Sequence, residues 1–319
     1  MKARALVADH LGAGEIALAP FPGGAATVVD GGAWVLLDGD ARRGLGGAIA
    51  WSLRADAARL DVMVDDPAHA GVLARRAAAF TCPITVWGVD GRSLVAVDPA
   101  PIAPSVEPSD AALALVDVLE RAGVDVSIEH GEIRGELRGL ELARVVSTDD
   151  GARLEVGVGR HDREAFTMVH GDLPTDAALR SVIESVEAVR RADAEAHPLR
   201  RLAPEGWLRW RLLGDPALAG ARSLAPAAPP VERDSVKDSG ASIACGIDLE
   251  DRPVVVACSV GIDLDVVPTA ADARLAIDPA ARLLIVLPER DDHPMTRRIA
   301  SLLRAPAEIV TIPGDWRAA

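Results

Sequence analysis

The most constraining feature of this chain is the stretch from Val124 to His170, in which apolar and charged residues alternate. A period of two is that of a half-buried strand, whose successive side chains point to opposite faces of a sheet. Between residues 132 and 139, isoleucine, leucine and glycine fall on one face, and glutamate and arginine on the other. The pattern predicts a central sheet with one apolar face and one charged face.

On each side of this centre the sequence predicts a similar α/β flank. A hairpin over residues 26–37 turns at Asp30-Gly31-Gly32, and alternating helices and strands continue to residue 89. Residues 242–258 predict a second hairpin, which alternating helices and strands follow to residue 312. Such alternation indicates parallel β-α-β units. The shared order indicates either a duplication or two instances of one common pattern. We expect the flanks to form one continuous sheet or a pseudo-twofold pair.

Proline-rich segments separate these parts. Four prolines lie between residues 99 and 108 and interrupt both helix and sheet, which indicates a linker over 101–108. Proline, glycine and serine also enrich residues 214–240, a second linker that need not be ordered. We therefore predict an α/β fold with an N-terminal flank (1–100), a central α+β domain with a mixed sheet (109–213) and a C-terminal flank (241–319).

Composition restricts the classes of function. The chain has 34 basic and 48 acidic residues, a net charge of −14 that repels nucleic acid and anionic membranes unless a local basic patch opposes it. Only Lys2 and Lys237 are lysines, and no phosphate-binding loop with its lysine exists, so no nucleotide cofactor is indicated. No apolar run is long enough to span a membrane, and the N-terminal residues lack the pattern of a signal peptide. We expect a cytoplasmic protein without a membrane partner. The oligomeric state stays open.

Two acids fall on neighbouring predicted strands between two predicted helices, in Gly139-Leu140-Glu141-Leu142 and Leu154-Glu155-Val156-Gly157. Over residues 109–192 this order resembles the restriction-endonuclease-like superfamily, in which an acid and a neighbouring acid-x-lysine motif bind a divalent metal that activates water. The resemblance implies that Glu141 and Glu155 hold Mg²⁺ or Mn²⁺. Gly157 occupies the lysine position, so Arg160 or His161 would have to substitute for it in catalysis.

The strand pattern adds a condition to this interpretation. Glu141 has the same parity as Ile133, so only a strand break or bulge near Gly139 would turn its side chain away from the apolar face. The alternative is a charged, solvated face on which glutamates and arginines pair across strands.

Arginines cluster between residues 190 and 211 around two tryptophans. Arginine beside tryptophan can hold phosphate and stack on bases, which is how single-stranded nucleic acid is bound without sequence preference. We favour the alternative, a packing helix whose tryptophans fill an interface while its arginines reach outward. The candidates for nucleic-acid contact are Arg200, Arg201, Trp207, Arg209, Trp210 and Arg211.

The strand-end loops of the flanks offer another site, because open parallel sheets bind ligands beyond the carboxyl ends of their strands. In the C-terminal flank these loops supply acids and a histidine, although such residues before a helix also serve as N-caps. Gly44-Leu45-Gly46-Gly47 follows a strand in the N-terminal flank without the full spacing of a dinucleotide loop. The candidate ligand-loop residues are Asp263, Asp265, Asp291, Asp292 and His293.

Two functions therefore remain in competition. The first is a metal-dependent nucleic-acid-processing protein, as an active enzyme or a catalytically inactive relative. The second is a small-molecule-binding or structural α/β protein, whose ligand would lie at the strand ends of a flank.

Overall fold

A computed structural model describes residues 2–39, 42–159, 163, 175–232 and 240–317. The chain divides into two compact units. Unit 1 comprises Met1–Ile102, Ile262–Ala276 and Asp292–Ile309, and unit 2 comprises Ala103–Gly261, Ile277–Asp291 and Val310–Ala319. The C-terminal flank thus contributes residues to both units.

The first sheet has six strands in the order of the chain. Strands β1 to β3 form an antiparallel meander, β3 to β5 are parallel, and β6 returns antiparallel to β5. The predicted hairpin is confirmed, because Asp30 and Gly31 both have positive φ angles, as its tight turn requires. The elements are α1 (Lys2–Leu11), β1 (Ala19–Phe21), β2 (Gly24–Val29), β3 (Gly32–Leu37), α2 (Leu45–Arg54), β4 (Arg59–Val64), α3 (Pro67–Ala77), β5 (Ile84–Asp90) and β6 (Ser93–Ala96).

The central segment forms a four-stranded sheet whose strand pairs are all antiparallel. Turns at His130-Gly131 and Arg138-Gly139, with positive φ at both residues, are too short for a parallel crossover. The mixed sheet predicted here is therefore an antiparallel meander. Its elements are α4 (Asp110–Leu113), α5 (Val116–Arg121), β7 (Asp125–Glu129), β8 (Glu132–Leu137), β9 (Leu140–Thr148), β10 (Gly151–Val156), α6 (Thr175–Val189), α7 (Pro198–Arg201) and α8 (Pro204–Gly214).

The third sheet has five strands, again in chain order. Strands β11 to β13 are an antiparallel meander, and β13 and β14 are parallel. The edge strand β11 lies inside residues 214–240, so the expectation of a linker without regular structure was wrong there. Pro226 is compatible with this strand because an edge strand needs only one row of N–H donors. The elements are β11 (Ala221–Ala227), β12 (Ser242–Asp248), β13 (Pro253–Cys258), α9 (Val266–Ile277), β14 (Arg282–Pro288), α10 (Pro294–Ala300) and β15 (Glu308–Ile312).

The first and third sheets have the same element order. In each, an antiparallel meander leads through a helix to the next strand, then through a second helix to the strand after that. The α/β class is confirmed, and the flanks share their topology. The single continuous sheet considered from the sequence was wrong, since the strands form separate sheets. No helix within the described ranges is long and apolar enough to cross a membrane.

Unit 1 combines its sheet with the two helices of the C-terminal flank. Helix α2 contacts α10, and a buried charge cluster joins α3 to α9. Asp272 accepts hydrogen bonds from Arg75 at 2.7 Å and from Arg76 at 3.1 Å, and all three side chains are buried. This packing also fixes the segment that precedes α9 against the start of α2.

Candidate functional site

Glu141 points to the charged face of the central sheet because β9 contains a bulge. Arg134 is opposite Arg144 and Gly135 is opposite Ala143, but Glu136 is opposite Glu141, so the register shifts by one residue. The shift gives Glu141 the orientation of Arg144 rather than that of the apolar positions. The bulge that the sequence interpretation required is therefore present.

Arginines surround the Glu141 carboxylate. Arg144 binds it with two hydrogen bonds of 3.0 Å, Arg163 donates to it at 2.7 Å, and Arg134 lies 3.6 Å away. The Glu141 side chain is only 7% exposed. Burial lowers the pKa of Arg144, but its hydrogen bond to Glu141 and nearby carboxylates outweigh this effect, so the pKa lies above its ordinary value. Glu141 is thus a neutralised, buried anion.

Glu155 lies on the same face, directly opposite Arg144 in the strand pairing. Its carboxylate pairs with Arg153 at 2.7 Å and lies 3.9 Å from Arg163, whose other nitrogen contacts Glu141. An arginine side chain therefore lies between the two carboxylates that the resemblance assigned to a metal. A guanidinium there neutralises the same charge that a divalent cation would.

Direct evidence for a metal centre is lacking in the part of the chain that the structure describes. No group of three or more histidine, cysteine, aspartate or glutamate side chains converges there. Arg160 and His161, the proposed substitutes for the missing lysine, lie outside the described residues. Gly157, in the lysine position, directly follows β10 with a φ of 140° and donates its N–H to the carbonyl of Leu142.

The arginine and tryptophan helix α8 is packed inside unit 2. Trp207 is 1% exposed and belongs to the apolar core over the third sheet. Arg209 is 2% exposed, donates to Glu136 at 2.7 and 2.8 Å, and lies 3.4 Å from Glu129. Gly206 packs so closely on the turn at Gly139 that a Cβ on either glycine would lie about 2 Å from a backbone oxygen of the other. The packing interpretation is confirmed for Trp207, but it was wrong for Arg209, whose side chain points inward to buried glutamates instead of outward.

The other members of that cluster are partly accessible. Trp210 is half-buried and donates a hydrogen bond to Asp125. Burial raises the pKa of the Asp125 carboxyl, and this hydrogen bond opposes the increase. Arg211 pairs with Asp215 at 3.5 Å. Arg200 donates to the carbonyls of Ala192 and Ala194, while Arg201 is exposed. These side chains therefore do not form one continuous surface with Trp207 and Arg209.

Two acids of the C-terminal flank meet the glycine loop of the N-terminal flank in unit 1. Asp265 accepts hydrogen bonds of 2.9 Å from the N–H groups of Gly44 and Gly46, at the start of α2. Burial and the neighbouring Asp263 raise the pKa of Asp265, although the two N–H donors oppose the shift. Asp263 pairs with Arg43 at 2.9 Å. The glycine loop and the acidic loop, which the sequence suggested separately, are therefore in contact in unit 1.

The remaining candidates in these loops have structural partners. Asp291 accepts the N–H of Gly261 at 2.8 Å, and Asp292 binds Arg297. The ring of His293 accepts the N–H of Met295 and caps α10. The capping interpretation therefore explains His293 directly.

A cleft lies beside the Asp265 contact, at the carboxyl end of β3. Its volume is about 170 Å³, and it is confined to unit 1. Asp38 is exposed there and makes no side-chain hydrogen bond or ion pair with any described residue. The lining residues are Pro22, Gly23, Leu37, Asp38, Gly39, Arg43 and Gly44.

Sequence reasoning missed Arg43 in this cleft and Arg317 at the other end of the chain. Arg43 precedes the glycine loop directly, so its position was a usable signal. Arg317 follows the last strand by five residues and carries no motif. Its guanidinium lies 4.2 Å from the ring centre of Trp316. This contact depends on the packing around the third sheet, so the local sequence could not predict it.

Comparison with protein-family models, with curated proteins and with solved structures gave no significant match.

Proposed function

We propose that this chain is a small-molecule-binding α/β protein whose ligand occupies the cleft at the carboxyl end of β3. The observation that carries the proposal is the cleft itself, with its volume of about 170 Å³. It lies beyond a parallel strand and beside the start of the following helix, which is where open α/β sheets bind ligands.

The cleft favours a small polar ligand. A volume of 170 Å³ corresponds to about five or six water molecules at roughly 30 Å³ each. The positive end of α2 is already neutralised by Asp265, and Arg43 is paired with Asp263. Asp38 supplies an accessible negative charge. These charges support a cationic or neutral ligand with hydrogen-bond donors rather than a phosphate.

The partners of Glu141 and Glu155 also favour a binding role at the cleft over a metal site. Arginines neutralise Glu141, and Arg153 pairs with Glu155. A metal bound by these two glutamates would first have to displace Arg163. A binding role at the cleft requires no such rearrangement.

The test is a ligand-observed NMR screen of small polar fragments against the whole chain. Fragments that carry an amine or amide should bind the wild type and lose binding in Asp38→Asn. The matched control is Asp30→Asn, an exposed position at the opposite end of β3, which should bind as the wild type does. Equal binding by all three proteins would overturn the assignment of the cleft.

The same proteins also test the competing function. Millimolar Mn²⁺ should leave the melting temperature of the wild type unchanged. A Mn²⁺-dependent rise that Glu155→Gln abolishes, together with cleavage of DNA or RNA, would replace the present proposal with the metal-dependent one.

A further inference from the structure

A short acidic segment of the C-terminal flank borders the cleft at the carboxyl end of β3. Asp263 pairs with Arg43 and Asp265 accepts the N–H of Gly44, and both of these partners line the cleft. All four residues belong to unit 1. We call residues 263–265 the acidic strap. Its two carboxylates bind the groups at the cleft wall that would otherwise attract an anion.

Asp263 fixes the position of Arg43. One carboxylate oxygen of Asp263 lies 2.9 Å from a guanidinium nitrogen of Arg43, and the other accepts the N–H of Asp265 at 3.0 Å. An arginine at the wall of a ligand site ordinarily offers its N–H donors to a carboxylate or a phosphate of the ligand. Here Asp263 occupies that place, so the charge of Arg43 is balanced inside the protein.

Asp265 compensates the positive end of α2. Its two oxygens accept the N–H groups of Gly44 and Gly46, one each, at 2.9 Å. Gly44 is the N-cap residue of α2 and has no side chain that could bind these donors, so the strap supplies the missing acceptor. The first N–H groups of a helix carry a partial positive charge of about +0.5 and attract anions. With Asp265 in place, a second anion would be repelled.

The strap and the glycine loop are in close backbone contact. A Cβ on Gly46 would lie 2.2 Å from the carbonyl oxygen of Leu264, much closer than van der Waals contact allows. The absence of a side chain at position 46 therefore lets the strap reach the N–H groups of α2. A Cβ on Gly47 would lie 3.6 Å from its nearest neighbour, the ring of Phe21, which is an ordinary contact. Substitution of Gly46 should thus displace the strap without changing any charge.

We propose that Asp263 and Asp265 determine the charge specificity of the cleft, so that it accepts small ammonium ions and excludes anions of similar size. This inference rests on the proposed function, because it requires the ligand to occupy the cleft at β3. Asp38 attracts the cation, while the strap occupies Arg43 and the first N–H groups of α2. Specificity of this kind depends on rejection of the wrong ligand as well as on contacts with the right one. Asp263 and Asp265 act through Arg43 and α2, so they are positioning residues.

The experiment measures the affinities of the whole chain for ethanolamine and for glycolate by NMR titration at neutral pH. Both probes carry a hydroxymethyl group, and they differ in the sign of their charge. Wild type should bind ethanolamine more tightly than glycolate. The ratio of the two affinities should fall by about tenfold in Asp263→Asn and in Asp265→Asn, because each change weakens the attraction for the cation and the repulsion of the anion. Gly46→Ala should lower the ratio in the same direction, because the displaced strap no longer covers the N–H groups of α2.

Two matched controls accompany these variants. Asp30→Asn removes an exposed charge at the opposite end of β3, and Gly47→Ala adds a methyl group where the structure has room for it. Both should keep the wild-type ratio. A strap with a purely structural role would change the melting temperature of the strap variants and leave the ratio of affinities unchanged, and that result would overturn the inference.

The outcomes also separate this inference from the proposed function. If Asp38→Asn abolishes ethanolamine binding while the strap variants keep the wild-type ratio, the cleft is the ligand site and only the inference fails. If wild type binds neither probe, or if Asp38→Asn binds ethanolamine as tightly as wild type does, both fail. If Asp265→Asn or Gly46→Ala does not fold, Asp263→Asn decides the question, because asparagine keeps the shape of the side chain and an acceptor for the N–H of Asp265.

Discussion

Two buried arginines in unit 2 have opposite environments. Arg209 meets the carboxylates of Glu129 and Glu136. Among the described residues, the hydrogen bonds of Arg190 go to carbonyl oxygens, and its guanidinium stacks on Trp207. Burial lowers the pKa of both, but the glutamates reverse the effect for Arg209 and raise its pKa above the ordinary value. For Arg190, the charges of Glu136 and Glu205 offset burial only in part, and its pKa is lowered to about 9. The first charge has carboxylate partners in the core, and the second is held by carbonyl oxygens and the ring of Trp207.

Unit 1 contains a similar contrast between two buried aspartates. Asp272 is held by two arginines, so its charge is fully compensated. Asp265 is held by two backbone N–H groups and lies beside the cleft. In each unit, one buried charge has an oppositely charged partner and the other is held by backbone groups; in unit 1, the second of these lies beside the candidate cleft.

The largest effect should come from Arg209→Met. This change leaves Glu129 and Glu136 buried without their shared cation, and breaking a buried pair costs about 3–5 kcal/mol. Urea unfolding of the whole chain measures the loss. Arg222→Met is the matched control, since its exposed pair with Asp251 should contribute less than about 1 kcal/mol. If Arg209→Met loses no more free energy of unfolding than the control, the glutamates do not compensate Arg209, and its contrast with Arg190 disappears.

Asp272→Asn should produce the next largest effect. Arg75 and Arg76 would lose the buried carboxylate but keep hydrogen bonds to carbonyl oxygens, so we expect a loss of about 2–4 kcal/mol. The same unfolding experiment measures it. If the variant is as stable as the wild type, the cluster does not hold α3 and α9 together.

Asp265→Asn should change the pH dependence of stability. The raised pKa means that the folded state binds a proton more tightly than the unfolded state. Stability should therefore fall as pH rises from about 4 toward the raised pKa of the folded protein. Asp265→Asn should flatten the pH profile in this window, whereas the exposed control Asp56→Asn should keep the wild-type slope. An unchanged slope in Asp265→Asn would show that Asp265 is not the responsible group.

Periodicity and turn residues predicted most of the fold. The strand at 308–312, the hairpin at Asp30-Gly31 and the helix from Pro204 follow from local signals. The edge strand β11 was missed because its extended conformation depends on hydrogen bonds to β12 and not on a local sequence pattern.

The candidate sites were less predictable than the elements. The sequence identified Glu141, Glu155, Asp263 and Asp265 as charged, but their partners are separated from them by as many as 221 residues. The bulge that turns Glu141 was anticipated as a condition, whereas Arg163 between the glutamates was not. Long-range pairing decides which charges are neutralised, and no local pattern encodes it.

The most direct test of the central claim is a double-mutant cycle between Arg209 and Glu136. The free energies of unfolding of Arg209→Met, Glu136→Gln and the double variant give the coupling between the two side chains. If the glutamates compensate the buried arginine, the double variant should lose less stability than the sum of the two single losses, with a coupling of about 2–3 kcal/mol. Additivity within about 0.5 kcal/mol would contradict the account, because Arg209 would then be no better compensated than Arg190.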